Sequence, residues 1–151
     1  MASGKHVTLI QNNADEITRR LCKDLLGRDE TRSYHRLNQD VVYERAYGVY
    51  SRLDLWLKGS RTHASEIRDF FVRQGKMRYR EGIPLHEEIM VLLLIKRHLW
   101  LFILDTNFFD STYELQEELR FNNRVVLFFD RVIYYVTTGY ETEMLEAGKG
   151  R

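Results

Sequence analysis

Helical periodicity is the feature of this sequence that most constrains its fold. Apolar residues recur at steps of three and four in five consecutive segments, without the two-residue alternation that is typical of a half-buried strand. The segments cover about residues 7–26, 39–58, 63–81, 84–104 and 111–145, and the linkers between them are short. The spacing therefore predicts an all-α fold, a bundle-like single domain of about five helices made by residues 1–151.

Several residues of the sequence favour particular helix ends. Gly27 follows the first segment and Gly59 the second, where glycine is a common C-terminal stop. Asn38 is the predicted N-cap of the second helix, and Thr62 is that of the third. Asn122-Asn123 places weak helix formers inside the fifth segment, so either one continuous helix or a break fits the pattern.

The stretch RYREGIPLHEEIM contains the only proline in the chain. Gly82 is suited to the left-handed conformation that ends a helix, and Pro84 is suited to the first turn of the next one. Glu87 and Glu88 then lie at the positive end of the helix dipole. These residues predict a corner between the third and fourth helices, which is an architectural role rather than a chemical one.

The sequence lacks the common motifs of catalysis and metal binding. HEEIM begins like the zinc-protease pattern H-E-x-x-H, but Met90 stands where the second histidine is needed. The chain also has no glycine-rich phosphate loop, nucleophile elbow or kinase signature. Four histidines lack metal-ligand spacing, namely His35, His63, His86 and His98. We therefore expect a non-enzymatic protein that holds no metal.

Composition and charge argue against several kinds of partner. The chain has 23 Lys and Arg residues and 22 Asp and Glu residues, so its net charge is +1. This charge is too small to produce an electrostatic potential that would attract nucleic acid or an anionic membrane. The most hydrophobic stretch, residues 89–104, is interrupted by charged residues and is shorter than the run of about 20 apolar residues that crosses a bilayer. The N-terminus lacks a signal-peptide pattern, and the single Cys22 suits a reducing compartment. We expect a cytoplasmic domain with neither nucleic acid nor membrane as partner.

Two sets of residues carry expectations about packing. Leu93 and Trp100 lie on one face of the most apolar helix and are predicted to be deeply buried. Tyr43, Tyr47 and Tyr50 form a row along the second helix, which fits either a margin of the core or a surface for a partner.

The stretch RYREGIPLHEEIMVLLLIKRHLW resembles the N-terminal domain of the RsbR/RsbRD family, stress-signalling co-antagonists of bacteria. In that family an arginine, a glycine, a proline-leucine helix start and an acidic residue are followed by an apolar run, which ends in a basic pair before an aromatic residue. The matching positions are Arg78, Gly82, Pro84, Leu85, Glu88, Arg97 and Trp100. ITRRLCKDLL and FFDRVIYYVTTGYE are similar to the family's first and last helices.

The resemblance implies a non-enzymatic, globin-like helical domain with a sensory or regulatory role, commonly dimeric and without a cofactor. Such domains are joined to an output domain, such as a STAS module or a histidine kinase. No such module follows within the 151 residues, so we expect either a domain that stands alone or a fragment of a larger protein.

A haem- or small-ligand-binding globin-like sensor is the alternative hypothesis. His98 on the fourth helix is the candidate axial ligand in that case, although Lys96 and Arg97 beside it favour a half-exposed face. The absorption spectrum of protein purified from haem-supplemented cells distinguishes the two hypotheses.

The length of the fifth segment predicts a homodimer. If it is continuous, the segment spans about 50 Å, whereas the other helices span about 30 Å. An apolar stripe that extends beyond the bundle needs a cover, which a second copy provides. The interface candidates are Val132, Val136, Gly139, Tyr140 and Met144, and Gly139 fits either a close helix crossing or a kink.

Overall fold

The computed structural model describes residues 2–58, 63–106 and 111–149, but not the side chains of residues 2–5 and 7. Within these ranges the chain is all-helical and has no strand, which confirms the predicted class. The elements are α1 (Ala2–Asn12), α2 (Ala14–Leu26), a 3-10 helix (Asp29–His35), α3 (Gln39–Lys58), α4 (Ala64–Arg80), α5 (Leu85–Thr106) and α6 (Thr112–Lys149). These ranges hold seven helices rather than about five.

The two additional helices arise where side chains bond to the local backbone. The first predicted helix is divided at Asn13, whose φ and ψ are −120° and 18° and whose Nδ2 donates to the Leu9 carbonyl at 2.8 Å. Such a bond competes with the regular helix ladder. In the 3-10 helix, Thr31 leaves the helical region (φ −128°, ψ 30°) and its Oγ1 donates to the Leu25 carbonyl at 2.7 Å. Neither the break at Asn13 nor the 3-10 helix is marked by regularly spaced apolar residues, so the sequence pattern does not predict them.

The predicted helix ends are found in part. Asn38 caps α3, because its Oδ1 accepts a hydrogen bond from the Asp40 amide at 2.8 Å. Gly27 ends α2 as predicted, although its φ of −91° is not left-handed. Gly59 and Thr62 lie outside the described residues.

The corner between α4 and α5 has the geometry that the sequence predicts. Gly82 has a φ of 76°, the only positive value in the described ranges. The Ile83 amide donates to the Arg78 carbonyl at 3.1 Å and the Gly82 amide to the Tyr79 carbonyl at 3.0 Å. This pair of bonds is a Schellman motif, which satisfies the last carbonyls of α4.

Pro84 lies one position earlier than expected, as the N-cap of α5 rather than its first residue. Its carbonyl accepts the amides of Glu87 at 3.0 Å and Glu88 at 3.2 Å, and α5 begins at Leu85. The proline therefore fixes the direction in which α5 leaves the corner, since its ring restricts φ.

Gly82→Ala is expected to destabilise the chain by about 1 kcal/mol or more, because a non-glycine residue is strained at this φ. No heavy atom lies within 4 Å of the position that a Cβ would take, so the whole effect comes from backbone conformation. Gly82→Asn should lose less, since asparagine tolerates the left-handed region. Urea unfolding measures both variants, and an alanine variant as stable as the parent would contradict the expectation.

The core contains most of the predicted apolar stripes, with a correction in α5. Every predicted core residue of α2 and α3 is buried: Ala14, Ile17, Leu21, Leu25, Val42, Ala46, Val49, Leu53, Trp56 and Leu57. In α5 the buried face contains Leu92, Ile95 and Leu99, whereas Leu93 and Trp100 are only half-buried. That prediction was wrong because α5 is apolar on nearly all sides, so its period does not identify one face.

The tyrosine row on α3 divides between core and surface. Tyr50 is buried, and its hydroxyl donates to the Ile95 carbonyl at 2.8 Å. Tyr43 and Tyr47 stack with ring centroids 5.7 Å apart, and Tyr47 is 40% exposed. Tyr50 is therefore a core residue, while Tyr43 is half-buried and Tyr47 is exposed at the surface of α3.

α6 is one continuous helix across Asn122-Asn123, with 38 residues and a length of about 57 Å. Its predicted stripe is found after these asparagines but not before them. Leu115 and Leu119 are exposed, while Glu118 and Phe121 are buried. The reason is the N-terminal helix α1, whose His6 contacts Glu118 and stacks on Phe121 at 4.9 Å.

Among the described helices, α4 and α6 form the most extensive pair. Phe71 lies against Phe128 and, further along both helices, Arg80 pairs with Glu143. α4 and α6 therefore run in the same direction.

α4 and α6 meet at two glycines. A Cβ added to Gly75 would lie 2.0 Å from the Val136 carbonyl oxygen, and one added to Gly139 would lie 1.9 Å from the Val72 carbonyl oxygen. The backbones are therefore in direct contact, which only glycine allows at these positions.

Candidate functional site

Three ionisable side chains are buried where α4 turns into α5. Arg78 is 3% exposed in the last turn of α4, and Glu87 and Glu88 are 5% and 1% exposed in the first turn of α5. The Gly82 turn brings the two helix ends together, so that Arg78 Nε lies 3.5 Å from Glu88 Oε2. Because charged side chains are seldom buried without a partner, this cluster is the candidate site in the core.

The 3-10 helix provides a partner for each of the two buried glutamates. Ser33 donates to Glu87 through its amide at 2.9 Å and through its hydroxyl at 2.6 Å. The Tyr34 hydroxyl donates to Glu88 Oε2. These bonds attach the 3-10 helix to the start of α5.

A second arginine extends the cluster to α3. Arg78 Nη1 donates to Glu81 Oε1 at 2.7 Å, and Arg45 Nη2 donates to Glu81 Oε2 at 2.6 Å. Glu81 therefore accepts from both arginines, and the cluster joins α3, α4, α5 and the 3-10 helix.

Burial and neighbouring charges determine which groups of the cluster are charged. Burial raises the pKa of Glu88, and the Arg78 charge and the Tyr34 hydrogen bond oppose this only in part. Burial alone would lower the pKa of Arg78, but the charges of Glu88, Tyr34 and Glu81 hold it above its ordinary value. Burial and the Glu88 charge hold the pKa of Tyr34 well above its ordinary value. Glu88 is thus the carboxyl group whose proton affinity the fold increases.

The pKa values of the other two carboxyl groups of the cluster, Glu81 and Glu87, are lowered. Burial acts to raise the pKa of Glu81, but the Arg45 hydrogen bond and the Arg78 charge bring it below its ordinary value. Burial likewise opposes the Ser33 hydrogen bonds at Glu87, whose pKa is lowered. The stability that these two groups contribute is lost as the pH falls through their folded pKa values, while that of Glu88 is lost as the pH rises.

A small cavity adjoins the cluster. Its volume of about 20 Å³ is enough for one water molecule. Among the residues that line it, two buried arginine nitrogens have no hydrogen-bond acceptor: Arg45 Nη1 and Arg78 Nε. The cluster can therefore hold a proton or a water molecule, but the cavity is too small for an organic ligand.

The structure brings together two of the seven residues that carry the family resemblance. Arg78 and Glu88 meet in the buried cluster. Gly82 and Pro84 form the corner beside it, and Leu85 is half-buried at the start of α5. The remaining two lie further along α5, outside the cluster, where Arg97 is exposed and Trp100 is half-buried.

Sequence reasoning missed the residues that surround this pair. Ser33 and Tyr34 each lie 54 positions before the glutamate that they contact, in a helix without an apolar period. Arg45 and Glu81 follow the pattern of ordinary surface charges. The only available signal was the pair of glutamates after Pro84, which the helix dipole explains equally well.

His98 connects two helices in the structure. Its Nε2 lies 2.8 Å from Asp24 Oδ2 on α2, and its side chain is 13% exposed. Asp24 also accepts from Arg28 at 2.7 Å. Among the described residues, His98 does not line the small cavity or either of two larger cavities at the surface.

The proposed interface residues of α6 are mostly covered by the same chain. Val132 and Val136 are fully buried, Gly139 crosses α4, and the Tyr140 hydroxyl donates to the Ile83 carbonyl at 2.7 Å. Only Met144, 44% exposed, remains on the surface. The prediction that this stripe lies beyond the bundle was wrong, because α4 runs beside the second half of α6 and covers it.

Residues 2–58, 63–106 and 111–149 meet the requirements of neither a metal site nor a membrane span. They contain no group of three or more His, Cys, Asp or Glu side chains placed to hold a metal ion. None of their helices combines the length and the apolar character that crossing a membrane requires. Comparisons with models of protein families, with curated protein sequences and with solved structures found no match.

Proposed function

We propose that this chain is a cytoplasmic, non-enzymatic sensory or regulatory domain of the RsbRD N-terminal type, with a globin-like helix arrangement, which acts through protein contacts as a homodimer. The observation that most supports this proposal is α6. This helix of 38 residues is buried against its own chain on one side and has large exposed apolar side chains on the other. A helix of this kind can join the core to a partner.

The exposed row of α6 differs from the set that the sequence predicts. Leu119, Leu127, Tyr134 and Leu145 are 54%, 54%, 68% and 63% exposed. At 3.6 residues per turn they lie within about 80° of one another, on the side opposite Val132. Exposed apolar side chains on one face of a helix can serve as an interaction site, and the same row on a second copy provides a two-fold match.

Contacts at the corner support a route from the buried cluster to this row. The Ile83 carbonyl, which accepts from Tyr140 of α6, lies between the cluster residues Arg78 and Glu88 along the chain. The glycine crossing makes α4 and α6 one packed unit. A change of charge at Glu88 therefore alters the corner that α6 contacts, and α6 transmits the change to the interface.

Light scattering tests the dimer. The parent chain is expected to be a dimer, and the variant Tyr134→Glu/Leu145→Glu a folded monomer, because it places charges in the apolar row. Gln11→Glu/Asn12→Glu adds the same two charges at exposed positions of α1 and should remain dimeric. Circular dichroism establishes that each variant is folded. A monomeric parent chain, or a double variant that remains dimeric, would contradict the proposal.

A further inference from the structure

A larger cavity lies between the end of α3, the start of α4 and the middle of α6. We call it the α6 groove. Its volume is about 520 Å³, and its lining includes Trp56, Ala64, Arg124, Phe128, Arg131 and Tyr135. Sites for small organic molecules have volumes of roughly 300–1,000 Å³, so the α6 groove has the size of a ligand site.

Trp56 lines the groove and carries an unsatisfied hydrogen-bond donor. The side chain is 2% exposed, and its Nε1 has no hydrogen-bond acceptor. The indole is held in place by Phe70, Phe71 and Phe128, with ring centroids 5.4, 5.3 and 5.7 Å away. A buried indole N–H usually has an acceptor. Trp56 therefore adds a fixed aromatic surface to the groove lining, and its indole N–H is a buried donor without an acceptor.

Two arginines give the groove a positive charge. Arg124 and Arg131 lie about two turns apart on α6, and Arg124 is held by a bond from its Nη2 to the Leu57 carbonyl at 2.7 Å. Arg131 is exposed and forms no ion pair within the described ranges. The described residues that line the groove include no acidic side chain.

The start of α4 adds to this positive potential. Ala64, the first residue of α4, lines the groove, and the N-cap His63 provides no side-chain cap. Glu66 is the acidic residue of this turn, and its carboxylate lies 3.1 Å from His63 Nδ1. The amides of a helix N-terminus attract anions.

We propose that the α6 groove binds a small amphipathic anion, a free molecule with one carboxylate, phosphate or sulfonate group on an aromatic or alkyl body. The body packs on Trp56, Phe128 and Tyr135. The anionic group lies near Arg131 and accepts from the indole N–H.

Leu127 of the exposed α6 row also lines the groove, so binding is measured with the parent chain and with the Tyr134→Glu/Leu145→Glu variant. Binding that is retained in this variant shows that the groove functions without the proposed dimer.

A matched pair of fluorescent probes tests the proposal. Anilinonaphthalenesulfonate has an aromatic body with a sulfonate, and N-phenylnaphthylamine has the same body without the charge. The folded chain is expected to bind one sulfonate probe about tenfold more tightly than the neutral probe, which corresponds to one charge-assisted hydrogen bond. In a Trp100→Phe chain, Trp56 is the only remaining tryptophan of the 2, so energy transfer from Trp56 locates the probe.

Arg131→Gln should weaken binding of the sulfonate probe about tenfold and leave the neutral probe unchanged. Because Arg131 is exposed, this variant is expected to fold. Arg120→Gln is the matched control, since it removes an exposed arginine of α6 that does not line the groove. Equal affinity for the two probes, equal effects of the two variants, or binding without energy transfer from Trp56 would overturn the proposal.

Competition distinguishes a free ligand from a lipid headgroup. Octanoate should displace the sulfonate probe, while octanol at the same concentration should not. If phosphatidylglycerol vesicles displace the probe and octanoate does not, the groove recognises a lipid headgroup and the proposal of a free ligand fails.

Discussion

Arg78→Met is expected to destabilise the folded chain by about 3–5 kcal/mol, the usual effect of removing one partner from a buried ion pair. Arg78 is 3% exposed, and the nearby Glu88 is 1% exposed. Methionine fills a similar volume but removes the charge that most strongly compensates the Glu88 carboxylate, and only the weaker effect of the Arg45 charge remains. Urea unfolding at neutral pH measures the loss.

Comparison variants separate the buried charge from other effects. Arg120→Met removes an arginine whose side chain is 70% exposed, and it should change the stability by no more than about 0.5 kcal/mol. Arg78→Met/Glu88→Leu removes both charges and should recover much of the loss. If Arg78→Met has no larger effect than Arg120→Met, the cluster does not stabilise the fold.

The pH dependence gives this expectation a second readout. Burial raises the pKa of Glu88, and removal of the Arg78 charge should raise it further. A carboxyl group with a raised folded pKa destabilises the fold increasingly as the pH rises. The difference in stability between the parent chain and Arg78→Met should therefore be larger at neutral pH than at acidic pH. A difference that is independent of pH would exclude Glu88 as its source.

Local signals in the sequence predict the helices well. The residues of α3 repeat at helical spacing, Asn38 precedes them, and the structure has both the buried stripe and the cap. Gly82 and Pro84 mark the corner because glycine and proline have restricted roles at helix ends. Each of these signals acts within a few residues, and so it can be read from one segment alone.

Such local signals do not predict contacts between distant segments. The buried cluster depends on Ser33 and Tyr34 meeting glutamates that are 54 positions away, and nothing in either segment specifies the other. In α5, apolar residues lie on nearly all sides of the helix. The sequence alone therefore does not distinguish the buried Leu92 from the half-buried Leu93. Gly139 fitted either a close helix crossing or a kink, and no local signal identified α4 as the helix that it crosses.

Gly139→Ala is expected to destabilise the chain by about 3 kcal/mol, the upper part of the usual range for overpacking a core. In an exposed helix the same substitution stabilises by about 1 kcal/mol, because alanine is the better helix former. Here the added Cβ would lie 1.9 Å from the Val72 carbonyl oxygen, and backbone atoms cannot rotate away. α4 and α6 must separate, and thermal or urea unfolding should show the loss.

Two further glycines make this test specific. Gly48→Ala in α3 should stabilise by about 1 kcal/mol, since its Cβ would meet only the flexible Arg52 side chain, at 3.5 Å. Gly75→Ala should destabilise like Gly139→Ala, because it meets the Val136 carbonyl from the other helix. Once one alanine has separated the helices, the second meets less resistance, so the double variant should lose less than the sum of the single losses. Additive losses, or a stabilised Gly139→Ala, would show that α4 and α6 do not cross at these glycines.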